Sequence, residues 1–518
     1  MTHLRKYFIW LHRYLGIPLS GLFVMWFATG VVMMYAGGMP RLSGDMVLSR
    51  LSVINFSKVE LTPTEAFSKN NRPINSDSLS LMSVMDRPAY RTDHFTIFAD
   101  TGEELTELSI LDCRRIASDF LGLPEKRVEH VGTLLRPDQW TLTYNASLPL
   151  HKFRVNDKYG SEIYVSPRFA EVVVLTTRRS RGFAWIGAIP HWFYFSFLRS
   201  RPMLWYDLVI FFSVLGCVLA ITGLVLGIIQ FRWTQTGKKG QLKINFLARV
   251  PYVGGLRWHY ITGIVFGMFT LTWVFSGLLS MEPFQWTQPK DPTVRADSFV
   301  TGAPELHQVS IAQSAKWNQL VADLDVVKME FKNFQGKSYF VLHTVNTLSR
   351  IDVRQSFYQP YEVSIWEQTD QVAIAADTLT IRERYHDEQT LISSVKTALP
   401  DVQIFEATML DSYDSYYFSR NEQRPLPVLR VKLNDSMQTW LYIDPRLGQL
   451  LTTNHKFTRI ERWMFNGLHS LNFPMLYQQR PLWDLVMIIL GAGGLASSGI
   501  GFWIGIKRSA RFFVRKSS

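Results

Sequence analysis

The chain has only two cysteines in 518 residues, Cys113 and Cys217. One lies in a polar stretch and the other inside a long apolar one, so no disulfide framework can form within a single chain. Thiolate-held iron–sulfur clusters need about four cysteines and are excluded. No C-x-x-C-H run offers covalent haem attachment, and no Gly-rich dinucleotide fingerprint opens a strand-turn-helix unit. Acidic residues are missing from three short segments, 1–14, 231–257 and 507–518, which carry three, six and five Lys or Arg. The whole chain nets +12, so everything outside those segments nets −2. The basic balance therefore reports topology and does not call for a nucleic-acid partner.

What is present is strongly partitioned. A mean hydropathy of +0.01 averages over very apolar and very polar stretches. Four uncharged runs, Leu15–Tyr35, Leu208–Phe231, His259–Met281 and Leu485–Ile506, exceed or match the roughly 20 residues a bilayer span needs. By the positive-inside rule the basic segments face the cytoplasm, which puts the two large insertions, 37–182 and 282–462, on the outer side. The first apolar run follows basic residues but is longer than a signal-peptide core and lacks a small-x-small cleavage site, so it reads as a retained anchor.

The two halves match each other. A shift of 247 residues lays His12 on His259, Gly16 on Gly263, Trp26 on Trp273, Gly30 on Gly277 and Met34 on Met281. A shift of 278 lays Ile163–Arg168 on Leu441–Arg446, Arg181 on Arg459, Trp185 on Trp463 and His191 on His469. Matching histidine, tryptophan and proline together reads as an internal duplication. Within each insertion, helical spacing at Leu111–Leu121 or Val395–Leu399 precedes alternating runs. These are Trp140–Tyr144, Phe153–Val155 and Glu162–Val165 in one half, and Tyr416–Phe418, Leu429–Leu433 and Thr439–Ile443 in the other. A helix packed on a short antiparallel sheet answers that order.

The duplication supplies four histidines beside apolar runs. His12 and His259 are expected to open their helices on the cytoplasmic side, since Met34 and Met281 lie about 33 Å further along a helix. His191 and His469 precede the second helix of each half, at the outer face. Depth then pairs His12 with His259 and His191 with His469, around an axis along the membrane normal. Two neutral imidazoles on opposite faces of an iron porphyrin favour electron transfer, so the expectation is two non-covalent, b-type haems. Arg13 and Arg257 flank the inner pair, and Arg181, Arg459, Arg201 and Arg480 the outer; each can meet a propionate. Trp185 and Trp463 could cover a porphyrin or anchor at the headgroups. Asp207 and Asp484 are read as helix caps with a second possible role toward an imidazole. The aromatic clusters Trp192–Phe195 and Tyr413–Phe418 are weighed as chelate-recognition surfaces against plain core packing. Trp26 and Trp273 sit where they could bridge the two levels.

The pattern Leu11-His12-Arg13-x-x-Gly16 before an apolar helix ending at Thr29-Gly30, the strand ends Tyr164-Val165-Ser166-Pro167 and Tyr442-Ile443-Asp444-Pro445, and Gly467-Leu468-His469 before the last helix resemble PepSY-associated transmembrane proteins. The resemblance covers nearly the whole chain. It implies a bacterial inner-membrane protein with four transmembrane α-helices in two tandem repeats and two extracytoplasmic, periplasmic α+β domains of PepSY type. Its members include ferric-siderophore reductases that bind b-type haem, which implies electron transfer from the cytoplasmic side to a ferric chelate or siderophore outside, in iron uptake. The first half departs from the pattern: Ser166 and Ala170 stand where the second half has Asp444 and Gly448, and Pro190 precedes His191.

The expected boundaries are a tail and first span at 1–36, outer domain at 37–182, haem-proximal segment and second span at 183–231, basic loop at 232–258, third span at 259–281, second outer domain at 282–462, second haem-proximal segment and fourth span at 463–506, and basic tail at 507–518. No electron-input domain is visible, so the donor must be a separate reductase, a reduced flavin or the quinol pool. Two other classes remain open: a haem-free PepSY module that senses the envelope or inhibits a peptidase, and a transporter subunit, which four helices with few intramembrane polar groups disfavour.

Overall fold

In a computed structural model of the chain, the described residues are all but 1, 75–77, 232–249, 289–313, 335–336, 346–353, 355–368, 383–385, 419–423, 478 and 517–518. Most of the basic loop expected at 232–258 lies outside them. The chain divides into two compact units: a helical one of Met1–Met39, Gly182–Gln288 and Phe457–Ser518, and an α+β one of Pro40–Arg181 and Pro289–Lys456.

Among the described residues, four helices of the first unit are long and apolar enough to cross a membrane: Thr2–Ala36, Pro202–Gln230, Gly254–Leu279 and Leu482–Lys516. The chain is therefore a membrane protein. The first and third helices each pack on the second and fourth and so stand diagonally across the bundle. All four helices begin ahead of the apolar runs seen in sequence. The first begins at Thr2 and runs through the exposed aromatic residues Tyr7, Trp10 and Tyr14. His12 consequently sits well inside its helix and does not open it, and His259 lies five residues past Gly254. The second helix starts with Pro202 in its first turn, where a missing N–H costs nothing.

In the α+β unit, strands β1 (Ser80–Val84), β2 (Arg87–Arg91) and β3 (Thr96–Phe98) precede a helix at Ile110–Leu121, and β4 (Val128–Leu134), β5 (Leu150–Val155), β6 (Glu162–Ser166) and β7 (Glu171–Thr176) follow it. The second insertion has the same plan: β8 (Val326–Phe334), β9 (Lys337–Val345), β10 (Thr369–Ala375) and β11 (Thr380–Ile381), a helix at Glu388–Ala398, then β12 (Ile404–Leu410), β13 (Val428–Leu433), β14 (Trp440–Ile443) and β15 (Leu450–Asn454). The first helix is started by a Ser109–Asp112 capping box and stopped by Gly122 at φ 63°; Asp387 caps the second. Both choices satisfy backbone groups a helix end leaves open.

β4–β7 and β12–β15 are antiparallel meanders, each with a register shift at the matching place, Tyr164/Val165 and Tyr442/Ile443. Two expected strands are turns instead. Asp138 accepts from Trp140 N and Thr141 Oγ1, and Asp414 accepts from Tyr416 N and Tyr417 N. Such short side chains offer the backbone an alternative to a ladder. The larger difference is that the two insertions are not separate bodies. β1 pairs with β8, giving one seven-stranded sheet ordered β11-β10-β9-β8-β1-β2-β3. Its core mixes Leu81, Tyr90 and Ile97 with Trp317, Met329, Phe340 and Leu342.

Candidate functional site

All four histidines singled out by the duplication lie in the helical unit. His12, on the first helix, faces His259 on the third, with ring centres 6.2 Å apart and planes at 37°. His191, on the short helix Ala188–Trp192, faces His469 on Leu468–Ser470 at 6.3 Å and 73°. Left-handed residues close both short helices, Phe193 at φ 54° and Leu471 at φ 47°. Trp205 and Trp483 then bind the loops through indole N–H bonds to the carbonyls of Trp192 and Ser470, at 2.8 and 2.9 Å.

The hydrogen bonds fix the ring tautomers. His12 Nδ1 donates to the Leu219 carbonyl at 3.1 Å, and His259 Nδ1 to the Ser497 carbonyl at 3.1 Å. His469 Nδ1 donates to the Trp273 carbonyl at 3.1 Å and sits 3.1 Å from Ser276 Oγ. His191 Nδ1 is 2.9 Å from Thr29 Oγ1; that hydroxyl spends its proton on the Met25 carbonyl at 2.7 Å, so the imidazole is the donor. With Nδ1 protonated in every ring, the lone pair is on Nε2. Metal-bound histidines use this arrangement, the second ring N–H held by a carbonyl or hydroxyl. Burial, and then the neighbouring His469, push the His191 imidazole down to about 4 against the pull of a backbone carbonyl of Trp26, which keeps it neutral as a ligand must be.

Glycines make room for the rings. A Cβ on Gly223 would come within 2.8 Å of His12 Cε1 and one on Gly501 within 3.0 Å of His259 Cε1. Gly30 and Gly277 play the same part for His191 and His469, at 3.4 and 3.6 Å. Ser276, Gly223 and Gly501 were not singled out in sequence, and Thr29, Gly30 and Gly277 entered only as positions of the repeat or of the motif. The same two shifts find them: 247 lays Thr29-Gly30 on Ser276-Gly277, and 278 lays Leu219 and Gly223 on Ser497 and Gly501. Thr29 and Ser276 each lie 17 residues beyond the histidine of their own helix, so the two levels are separated by about 26 Å of helix rise.

Two imidazoles ligating one metal ion from opposite sides, at about 2 Å per nitrogen, hold their ring centres about 6.3 Å apart. Both pairs have that spacing. Among the described residues no group of three or more His, Cys, Asp or Glu is placed to hold a bare metal ion. A pair of imidazoles alone suits an iron whose four in-plane positions a porphyrin fills.

The other expected residues divide. Arg13 and Arg257 are half-buried beside the inner pair in sequence, and Arg257 Nε donates to the Tyr252 carbonyl at 2.8 Å. Arg201 is exposed at the start of the second helix, and Arg459 lies on the helix Lys456–Glu461. Arg181 belongs to the α+β unit, where Thr176, the Gly160 carbonyl and Glu162 hold it. Arg480 is ion-paired with Asp484 and lies over the Trp483 ring. Both guanidinia thus have protein partners in place of a propionate. Asp484 also accepts from the Tyr35 hydroxyl at 3.1 Å. Trp185 is exposed, while Trp463 stacks on Phe473 at 6.0 Å. Within Tyr413–Phe418, Tyr417 is fully buried against Tyr442, which is core packing. Trp26 and Trp273 do not float between the levels: Trp26 donates its indole N–H to the His191 carbonyl at 3.2 Å, and Trp273 holds His469 as above.

No protein-family model and no curated protein matches this chain. The functional reading therefore rests on the geometry.

Proposed function

We propose that this chain is an electron-transfer protein of the bacterial inner membrane, built as two tandem repeats with PepSY-like outer portions, that takes electrons on the cytoplasmic side and delivers them to a ferric chelate outside. The observation that carries the reading is the spacing of the two histidine pairs, 6.2 and 6.3 Å. Bound between each pair, a b-type haem would supply reversible one-electron chemistry.

The residues present fit that task. His12, His259, His191 and His469 would hold that group through Nε2, with Nδ1 anchored by carbonyls and hydroxyls. The glycines let the rings lie against neighbouring helices. The reaction needs no acid or base on the outer side: one electron converts ferric to ferrous iron in the chelate, and the softer ion is released from hard oxygen ligands. The electron comes from a reductase, reduced flavin or quinol, since the sequence carries no Gly-rich dinucleotide fingerprint on a strand-turn-helix unit. The test is an optical one. Purified protein should show a Soret band, a sharp reduced α-band and about two haems per chain by pyridine haemochrome. A well-folded, colourless preparation would sink the reading and favour a haem-free sensor or peptidase inhibitor.

A further inference from the structure

The second half departs from the first just ahead of His469. Residues Arg462–Gly467 form a π-helical turn, whereas 278 positions earlier the chain runs as an ordinary helix to Ile186. Ala184 and Tyr194 stand there in place of Arg462 and Asn472. Extra-residue turns of this kind cluster at functional sites because they redirect side chains. This one carries a guanidinium inward: Arg462 is 7% exposed and Asn472 only 3%. Arg462 Nη2 donates to the Asn472 carbonyl at 3.0 Å and to its Oδ1 at 3.2 Å. The guanidinium also lies 4.8 Å from the Trp463 ring, so Trp463 and Phe473 form its platform. Because Oδ1 faces the arginine, Asn472 directs Nδ2 elsewhere, and that buried donor has no hydrogen-bond partner among the described residues. Burial and then the neighbouring Glu282 push the Glu461 carboxyl up, against the pull of the same guanidinium.

A buried cation beside an orphan amide donor is complementary to a carboxylate. Both residues sit on the segment that carries the outer ligand, seven residues before His469 and three after it. We infer that Arg462 and Asn472 form the seat for one porphyrin propionate at the outer level, so that the second half supplies the carboxylate seat there while each half supplies one histidine. The inference rests on the di-haem reading and is tested apart from it. Protein stripped of haem is reloaded with haem b or with its dimethyl ester, which lacks carboxylates, and transfer from each level to apomyoglobin is timed. Arg462→Gln and Asn472→Leu should speed loss of haem b from the outer level about tenfold or more, the value of a charge-assisted hydrogen bond, and leave the inner level unchanged. With the ester, wild type and variants should lose the outer group equally fast. An ester held at the outer level of the wild type as firmly as haem b would overturn the proposal, and needs no variant to fold. So would a variant effect that persists with the ester. A wild type that takes up neither compound would instead overturn the di-haem reading itself.

Discussion

At the residue scale, the glycines facing the inner pair make the sharpest demand. A methyl group on Gly501 would meet His259 Cε1 at 3.0 Å, while one on Gly499 meets nothing within 4 Å. His259 cannot withdraw without losing its bond to the Ser497 carbonyl. Gly501→Ala should therefore cost about 1–3 kcal/mol by overpacking and reduce haem content from two toward one per chain. Gly499→Ala, in the same helix, should be neutral or slightly stabilising, as alanine is in helix interiors. Thermal unfolding in detergent with haem counting reads both; equal effects would discount the ring contact. A second prediction concerns His386 in the α+β unit, whose Nδ1 accepts from Arg382 at 2.7 Å. Burial first, then Arg382, push it down to about 4. The folded state thus binds this proton less readily than the unfolded chain, so its contribution is present above about pH 6.5 and is lost as pH falls toward 4. The fall in Tm of the α+β unit between pH 7 and 4.5 should be shallower in His386→Gln than in wild type.

At the element scale, equivalent turns carry unequal loads. Asp157 accepts from Tyr159 N, Ser161 N and Ser161 Oγ, and is ion-paired with Arg354 at 2.7 Å in a buried setting. Asp435, 278 residues on, accepts from Thr439 N and Oγ1 at 2.6 Å each. Removing one partner of a buried pair strands the other, at about 3–5 kcal/mol; losing turn hydrogen bonds alone costs about 1–2 kcal/mol. Asp157→Ala should therefore lower the unfolding midpoint by more than its turn hydrogen bonds account for, and in an Arg354→Ala background that excess should vanish. Elements of this kind were partly legible. The spanning helices declared themselves by uncharged length, and β5, β6, β13 and β14 by alternation. Trp140–Tyr144 and Tyr416–Phe418 alternate equally well but fold as turns, because Asp138 and Asp414 capture the backbone N–H groups first. The π-helical turn at Arg462–Gly467 leaves no periodic signature at all.

At the scale of the whole molecule, local pattern could pair the histidines but not join the insertions. The duplication shifts placed His12 with His259 and His191 with His469, and the structure brings both pairs together, whereas the β1–β8 pairing links residues about 250 apart through register that only tertiary packing specifies. The two levels, about 26 Å apart along the helices, pose the question of connection. Aromatic contacts occupy the interval: Phe23 stacks with Trp26 at 5.9 Å and Phe27 approaches Trp273 at 5.7 Å, and both tryptophans are tied to the outer histidines. If current runs from the inner level to the outer and then to a chelate, the outer pair is an obligatory station and not a second, independent exit. Proteoliposomes holding the reduced protein with its outer side exposed should have both haems reoxidised by an impermeant ferric hydroxamate. His191→Ala should remove the outer haem alone and slow reoxidation of the inner one by several orders of magnitude, since tunnelling must then cross the full interval. His12→Ala should leave the outer haem quickly reoxidised but cut it off from a donor on the cytoplasmic side. Inner-haem reoxidation at the wild-type rate in His191→Ala would place the outer pair off the path and leave the chelate without its proposed route to electrons.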